Sequence, residues 1–412
     1  MAMRCAVFAI AVALLPFPRA LTPDLAACAL IVTLLATCDE GFAMVDHAHG
    51  IRLCSYDGRQ LCNPKFQGLN LGRLSQFAMS LSPDLLAVID STDGKMIRLF
   101  DSNTGRALDS VVQHTMEVTE VVLSQRGSLP TRMVVFLDRN RDLWICNATE
   151  PKRVHKLGGM VDSVQWSDEV DILGAVADGK LVVWYYPAVV FVDRDLLKTT
   201  THTRDGADLG RAPQLASLSG STCRVACGDG ASLLLALSPH PPALHELVLR
   251  KEWSKATRLC RQVKDPQLWA ALAGMAMAAK QLTVAEAAYA ALDAVDKLQY
   301  VSSIKDLPGE EARTAELALF RRRPDEAEAI LLQAGLTFRA IHMNIRLFQW
   351  DRALELAVSN RTHVDTVMWY RAAHLRETQR EEVSERFLEL AGQVDVDEAA
   401  VRAKLEAEGI ST

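Results

Sequence analysis

Over the first 250 residues, short apolar runs alternate with polar turns; from Lys251 onward, apolar positions recur every three or four residues instead. The clearest unit of the first half is FAMSLSPDLLAVIDSTDGKMIRLFDSNTGRAL (77–108). It holds three strand-like runs, with turns at Ser82-Pro83-Asp84, Asp93-Gly94 and Asn103-Thr104-Gly105. Proline and glycine supply the φ values that tight turns demand, while β-branched and aliphatic side chains fill the strands between. The central turn recurs. Asp46 opens DHAHGIRL, Asp93-Gly94-Lys95 precedes MIRLF, and Asp138 opens DRNRDLWI. Asp178-Gly179-Lys180 then precedes LVVW, and Asp229-Gly230 precedes ASLLLAL. These aspartates stand 47, 45, 40 and 51 residues apart, close to the ~40–45 residues of a four-stranded WD40-type blade. The spacing predicts an incomplete WD40-type β-propeller of about five blades over 25–250, with earlier blades expected upstream of its ragged start.

The second half has different punctuation. Asp265-Pro266 pairs an N-cap with proline at the first helical position. Leu307-Pro308-Gly309 breaks the chain, Pro324 opens another helix, and Gly335 can close it in the left-handed conformation. A local pattern repeats: Trp253-x-x-Ala256-x-x-Leu259 returns as Trp350-x-x-Ala353-x-x-Leu356. Weaker copies are Leu282-x-x-Ala285-x-x-Ala288 and Pro324-x-x-Ala327-x-x-Ile330. Spacing by three puts these side chains on one helical face, where a small alanine lets a neighbouring helix approach and the large residue fills the groove beside it. The copies start 29, 42 and 26 residues apart, so no fixed period holds. The expectation is an irregular tetratricopeptide-like α-solenoid over 251–410.

Composition adds little to this and excludes some classes. Of 412 residues, 49% are apolar and 23% charged, and the net charge of −6 offers no basic footprint for nucleic acid. Nine scattered cysteines without a CxxC pair read as buried free thiols of a reducing compartment, not as a disulfide framework or zinc ribbon. Against that stands the start. Residues 1–24 place Arg4, an apolar run from Cys5 to Leu15 and a proline-containing stretch in the order of a secretory signal peptide. A mispredicted start joined to a propeller strand is the other reading. The second apolar run, Leu25 to Thr37, is too short for an easy membrane span, so no membrane insertion is expected. Asn147-Ala148-Thr149 and Asn360-Arg361-Thr362 are sequons that matter only in a secreted chain.

Candidate chemistry is sparse. No Walker loop, dinucleotide glycine fingerprint, nucleophile elbow or HExxH occurs. His47 and His49 alternate and could share a strand face, but no third metal ligand lies nearby, and loop histidines are the simpler reading. Cys223 and Cys227 fit core packing better than ligation. Arg321-Arg322-Arg323 falls at a helix end, where cations meet the negative end of the dipole. Trp184, Tyr185 and Tyr186 end a blade strand and read either as a packed edge or as a partner surface. Without convergent polar groups, no catalytic, cofactor or metal site is expected.

Several stretches resemble one family. They include SLSPDLLAVIDSTDGKMIRLFDSNTG (80–105), DRNRDLW (138–144), LVVWYYPAVVFVDRDLL (181–197) and WSKATRLCRQVKDPQLWAALAGMAMAA (253–279). AEAAYAALDAVDKLQYVSSIKDLP (285–308), AEAILLQAGLTFRAIHMNIRLFQWDRALELAV (327–358) and THVDTV (362–367) continue the series. Collinearly, they are similar to the second propeller and C-terminal solenoid of the eighty-kilodalton WD-repeat subunits of intraflagellar transport complex B. The resemblance implies a non-catalytic scaffold of the anterograde train, needed for cilium assembly. It implies partners among the other complex B subunits, with self-association left open, no cofactor, and a place in the cilium, basal body and cytoplasm. The family starts with a complete first propeller, absent here, and residues 1–24 are expected to have no counterpart in it. A vesicle-coat scaffold, which also joins propellers to solenoids, is the alternative. A secreted propeller enzyme or binding protein is another if the signal-like start is genuine.

Overall fold

The computed structural model describes residues 32–46, 50–67, 69–206, 209–391 and 396–407. The apolar start, Cys5, Cys28, His47 and His49 lie outside the described residues. The chain divides into two compact units, residues 1–294 and 295–412.

The first unit carries five antiparallel sheets. Blade 1 is β1 (Val32–Thr37), β2 (Gly41–Asp46), β3 (Gly50–Ser55) and β4 (Gln60–Cys62). Blade 2 is β5 (Met79–Leu81), β6 (Leu85–Ile89), β7 (Met96–Asp101) and β8 (Val112–Gln113). Blade 3 is β9 (Val118–Leu123), β10 (Met133–Asp138), β11 (Leu143–Asn147) and β12 (His155–Gly158). Blade 4 is β13 (Val161–Trp166), β14 (Leu173–Ala177), β15 (Lys180–Trp184) and β16 (Thr201–Arg204). Blade 5 has three strands, β17 (Gln214–Ser219), β18 (Thr222–Ala226) and β19 (Ser232–Ala236). In every sheet the strands follow chain order, and the first strand of each blade lies against the first strand of the next. Successive hairpins therefore form a β-propeller of WD40 type.

Burial explains the composition of the strands. All five residues of β6 are buried, because each of its faces meets another sheet, and such strands read as continuous apolar runs. The core between blades 2 and 3 includes Leu85, Ala87, Leu99, Val121, Val134 and Phe136. Between blades 3 and 4 it includes Val135, Leu137, Ile145, Val164, Leu173 and Trp166.

The turn aspartates divide into two kinds. Asp46 and Asp138 end the second strand of their blades, Asp90 directly follows it, and all three are buried, at 5%, 2% and 2% exposure. In blade 2 the buried residue is thus Asp90 and not Asp93, which sits in the exposed turn. Asp178 and Asp229 are exposed as well. The long step from Asp178 to Asp229 has a separate cause. Between β15 and β16 the chain inserts 185–200, two 3-10 turns (Pro187–Phe191, Arg194–Leu196) and the short helix α1 (Leu197–Thr200).

Four helices complete the first unit: α2 (His240–Leu249), α3 (Trp253–Val263), α4 (Pro266–Ala278) and α5 (Leu282–Ala291). Asp265 caps α4, its carboxylate accepting from the Gln267 N–H at 2.9 Å, and Pro266 takes the first turn. From Leu268 to Met277 every residue of α4 is buried, so this helix is apolar all round and enclosed by its neighbours. It lies against α5, α2 and the insertion.

The second unit is helical throughout its described residues. It contains α6 (Val295–Asp306), α7 (Glu310–Phe320), α8 (Pro324–Gln333), α9 (Thr337–Arg346), α10 (Trp350–Asn360), α11 (Val364–Thr378), α12 (Glu385–Ala391) and α13 (Glu398–Ala407). Consecutive helices from α6 to α11 pack together as in a stack of hairpins, and Phe338 of α9 shares a small buried core with Val401 and Leu405 of α13. Gly335 closes α8 at φ +72°. Among the described residues, no helix is long and apolar enough to cross a membrane.

Candidate functional site

The buried polar groups of the propeller are committed to its own turns. Burial works against the charge of Asp138. Hydrogen bonds from the Asp142 N–H, Trp144, His114 and the Asn140 N–H outweigh it and hold the carboxyl below its usual range. The Trp144 indole donates to it at 3.0 Å and His114 lies 3.4 Å away. Asp90 is held in the same way by Thr92 and by Arg98 at 2.7 Å, and Asp46 lies 3.6 Å from Arg52. One Asp therefore staples each of the first three blades between its second and third strands. Arg132, fully buried, joins two blades: its guanidinium donates to Asp84 of the preceding blade and to three carbonyls of its own turn.

The aromatic run lies inside the first unit. Trp184 is 2% and Tyr185 5% exposed, and Tyr186 is half-buried, so the first two side chains are packed in place along the strand end. Trp184 stands on β15, paired with Leu173 and Thr201. The Tyr185 carbonyl accepts from His245 Nε2 of α2 at 2.6 Å, and its ring stacks on His202. Tyr186 lies against Gly274 of α4, whose missing side chain gives it room. On the same insertion, Asp193 accepts from the Tyr289 hydroxyl of α5 at 3.0 Å. Helices α2 and α4 cover Tyr185 and Tyr186, while Trp184 packs into the core between blades 3 and 4.

Burial pushes the His245 imidazole down to about 4, its bond to Tyr185 resisting only in part. An unfolded histidine binds its proton near 6.5. Between those values the unfolded chain holds more protons, so stability present above pH 6.5 is lost as pH falls toward 4. The first unit should lose about 2 kcal/mol between pH 7 and pH 5. Urea midpoints measured across that range should flatten in His245→Gln, and an unchanged slope would refute the assignment. In the second unit, His342 is likewise pushed down to about 4, first by burial and then by Arg346 and Arg339.

The small positions of the helical repeat are all interior. Ala256, Ala285, Ala327 and Ala353 are each 0% exposed. Leu356 is 6% exposed, while Trp253, Leu259 and Trp350 are half-buried. Ala327 and Ala353 share one core with Ala340, Ile341 and Leu331, where their size permits close helix approach. Arg321 to Arg323 follow the last turn of α7, and Arg323 pairs with Glu326 at 3.0 Å.

Reactive chemistry finds no support among these groups. Among the described residues, no three His, Cys, Asp or Glu side chains gather as a metal site. Burial pushes the Cys223 thiol up to about 11 and the Cys146 and Cys260 thiols up to about 12, so none is a thiolate nucleophile at neutral pH. Cys223 and Cys227 are buried free thiols, Cys227 donating to the Leu209 carbonyl. The Asn147 amide is engaged with Pro130 and Thr149, and that of Asn360 with Leu356. On the second unit Phe348, 62% exposed, borders a cleft of about 350 Å³ with Trp350, Arg371 and Phe387.

Comparison with known proteins accounts for this arrangement. Residues 5–240 match the family description "IFT80 second beta-propeller", and 268–411 match "IFT80/172/WDR35/WDR19 TPR domain". The first match takes in most of the apolar stretch 1–24, which corrects the expectation that it has no counterpart. The intraflagellar transport protein 80 homologs of Rattus norvegicus and Mus musculus are 41% and 40% identical over 382 residues, covering 92% of this chain and 49% of theirs. The intraflagellar transport protein osm-1 of Caenorhabditis elegans is 23% identical over 299 residues, 66% of this chain and 16% of its own. The chain thus spans about half the length of its two mammalian relatives. With the propeller match running over more than half its residues, the chain belongs to the IFT80 family of intraflagellar transport proteins.

Proposed function

We propose that this chain acts as a non-catalytic scaffold of the intraflagellar transport B particle, supporting anterograde transport and cilium assembly. The observation that carries the reading is the collinear likeness through both architectures, a propeller match and a helical-repeat match in one chain. The physical economy of the molecule supports it. Its buried polar groups staple blades and helices, the buried thiols of Cys146, Cys223 and Cys260 are protonated, and helical repeats of this kind offer broad faces on which partners can dock. The partners are other complex B subunits, and the places of work are the basal body, the cilium and the surrounding cytoplasm.

The test is made in ciliated mammalian cells. The tagged chain should co-purify with complex B subunits and move from ciliary base to tip in live imaging. Recovery on Golgi or endosomal membranes without any complex B subunit would overturn the proposal.

A further inference from the structure

A slot of about 550 Å³ opens between blades 3 and 4, within the ~300–1,000 Å³ usual for ligand sites. Its walls are apolar, formed by Leu157 of β12, Val182 and Trp184 of β15, and Leu197 of α1. Glycines keep it clear. A Cβ on Gly158 would sit 3.5 Å from the Trp184 ring, and one on Gly159 would sit 2.8 Å from Asp142 Oδ1. β12 is the outermost strand of its sheet, so one edge of its backbone has no partner within that sheet.

The charges at the rim are uneven. Lys156 and Lys180 already pair with Asp142 and Asp205. Lys198 also lines the slot, is exposed, and has no carboxylate partner among the described residues. The Thr201 hydroxyl is already spent on the Leu197 carbonyl at 2.6 Å. The slot therefore offers an apolar recess, one unneutralised cation and the outermost strand of a sheet, with no convergent set of polar groups to orient a small metabolite. One cation in a chain of net charge −6 does not track a nucleic-acid backbone.

We propose that this slot receives an extended acidic segment of a partner protein. A Leu, Met or Phe side chain enters beside Trp184, and a neighbouring carboxylate pairs with Lys198. The proposal goes beyond the transport role and does not depend on it, since the recess belongs to the propeller whatever particle carries it.

The full chain can be titrated against a fluorescein-labelled peptide with a Leu-Leu-Asp-Glu core in Gly-Ser flanks, read by fluorescence anisotropy. Wild type should bind it, and replacing both leucines by serine should abolish binding. Lys198→Glu should weaken binding about fivefold, through loss of attraction and gain of repulsion. That variant should bind a Leu-Leu-Lys-Lys peptide better than wild type does. Thr203→Trp, which fills the slot from an exposed position, should weaken both peptides about tenfold. Because Lys198 and Thr203 are exposed, unfolding midpoints should match wild type and so separate lost binding from lost folding. The proposal is overturned if wild type shows no binding up to about 1 mM, if the serine peptide binds equally, or if Lys198→Glu leaves both peptides unaffected.

Discussion

Replacing Arg132 by methionine should destabilise the first unit by about 4 kcal/mol, the scale expected when one partner of a buried pair is removed. The side chain has no exposed surface, and its guanidinium donates to four acceptors. Asp84 Oδ1 lies at 2.8 Å, the Ser124 carbonyl at 2.5 Å, that of Arg126 at 3.0 Å and that of Gly127 at 3.1 Å. Methionine fills much of the volume and leaves all four acceptors without that donor. Asp84 is 28% exposed and can recover some hydration, which keeps the loss below the upper end of the range. Arg132→Lys should fall between, because one ammonium cannot reproduce a planar fork aimed at four oxygens. Urea unfolding followed by tryptophan fluorescence suits this measurement, since five of the seven tryptophans (144, 166, 184, 253 and 269) lie in the first unit. A loss under about 1 kcal/mol would mean that water replaces the guanidinium, and the blade-to-blade staple would be fictional.

Arg132 also marks the limit of what the amino-acid order reveals. Turn chemistry is local, so Asp-Gly and Pro-Asp pairs made five blades legible, and apolar runs located their middle strands. Burial is not local. Nothing near Asp90 and Asp93 distinguishes the aspartate that receives Arg98 from the one in solvent, so the repeat spacing falls on the exposed member. The same holds for Trp184, Tyr185 and Tyr186. An aromatic run at a strand end has one appearance whether a partner or the chain's own helices cover it. Here the covering groups come from far along the chain: His245 is 60 residues from Tyr185, and Tyr289 is 96 from Asp193. The 51 residues between Asp178 and Asp229 held a clue, being longer than one blade, but length alone does not say that the excess is an insertion bound to α4. In the second unit the alanine spacing was readable because helix packing demands small residues at a fixed pitch.

These long-range contacts bear on the scaffold role proposed for the chain. A docking platform must hold its faces in fixed relation while partners load it. In the first unit that rigidity comes from the insertion at 185–200, which is propeller by sequence position and helix-packing element by contact. A blade with an ordinary short turn there would leave α4, with its ten consecutive buried residues, exposed on one side. The same insertion places Leu197 and Lys198 on the rim of the slot between blades 3 and 4. One departure from blade regularity thus both braces the unit and shapes a surface recess on it.

The tightest point of that brace is Gly274, and filling it should be nearly as damaging as losing Arg132. An added Cβ would come within 2.9 Å of Val189 Cγ2 and 3.1 Å of the Tyr186 ring. Val189 is fully buried and β-branched, so its methyl cannot swing aside. In an exposed helix interior, Gly→Ala would stabilise by roughly 0.5–1 kcal/mol. At this position the sign should reverse, with Gly274→Ala costing about 1 kcal/mol net and Gly274→Leu about 3 kcal/mol or more through overpacking. The order matters more than either value. If α4 merely lay near the insertion, alanine would raise the urea midpoint and leucine would be tolerated. A stabilised Gly274→Ala would therefore show that the helix can move away from Val189 at little cost, and the first unit would be a propeller with a loosely tethered helical tail in place of one braced body.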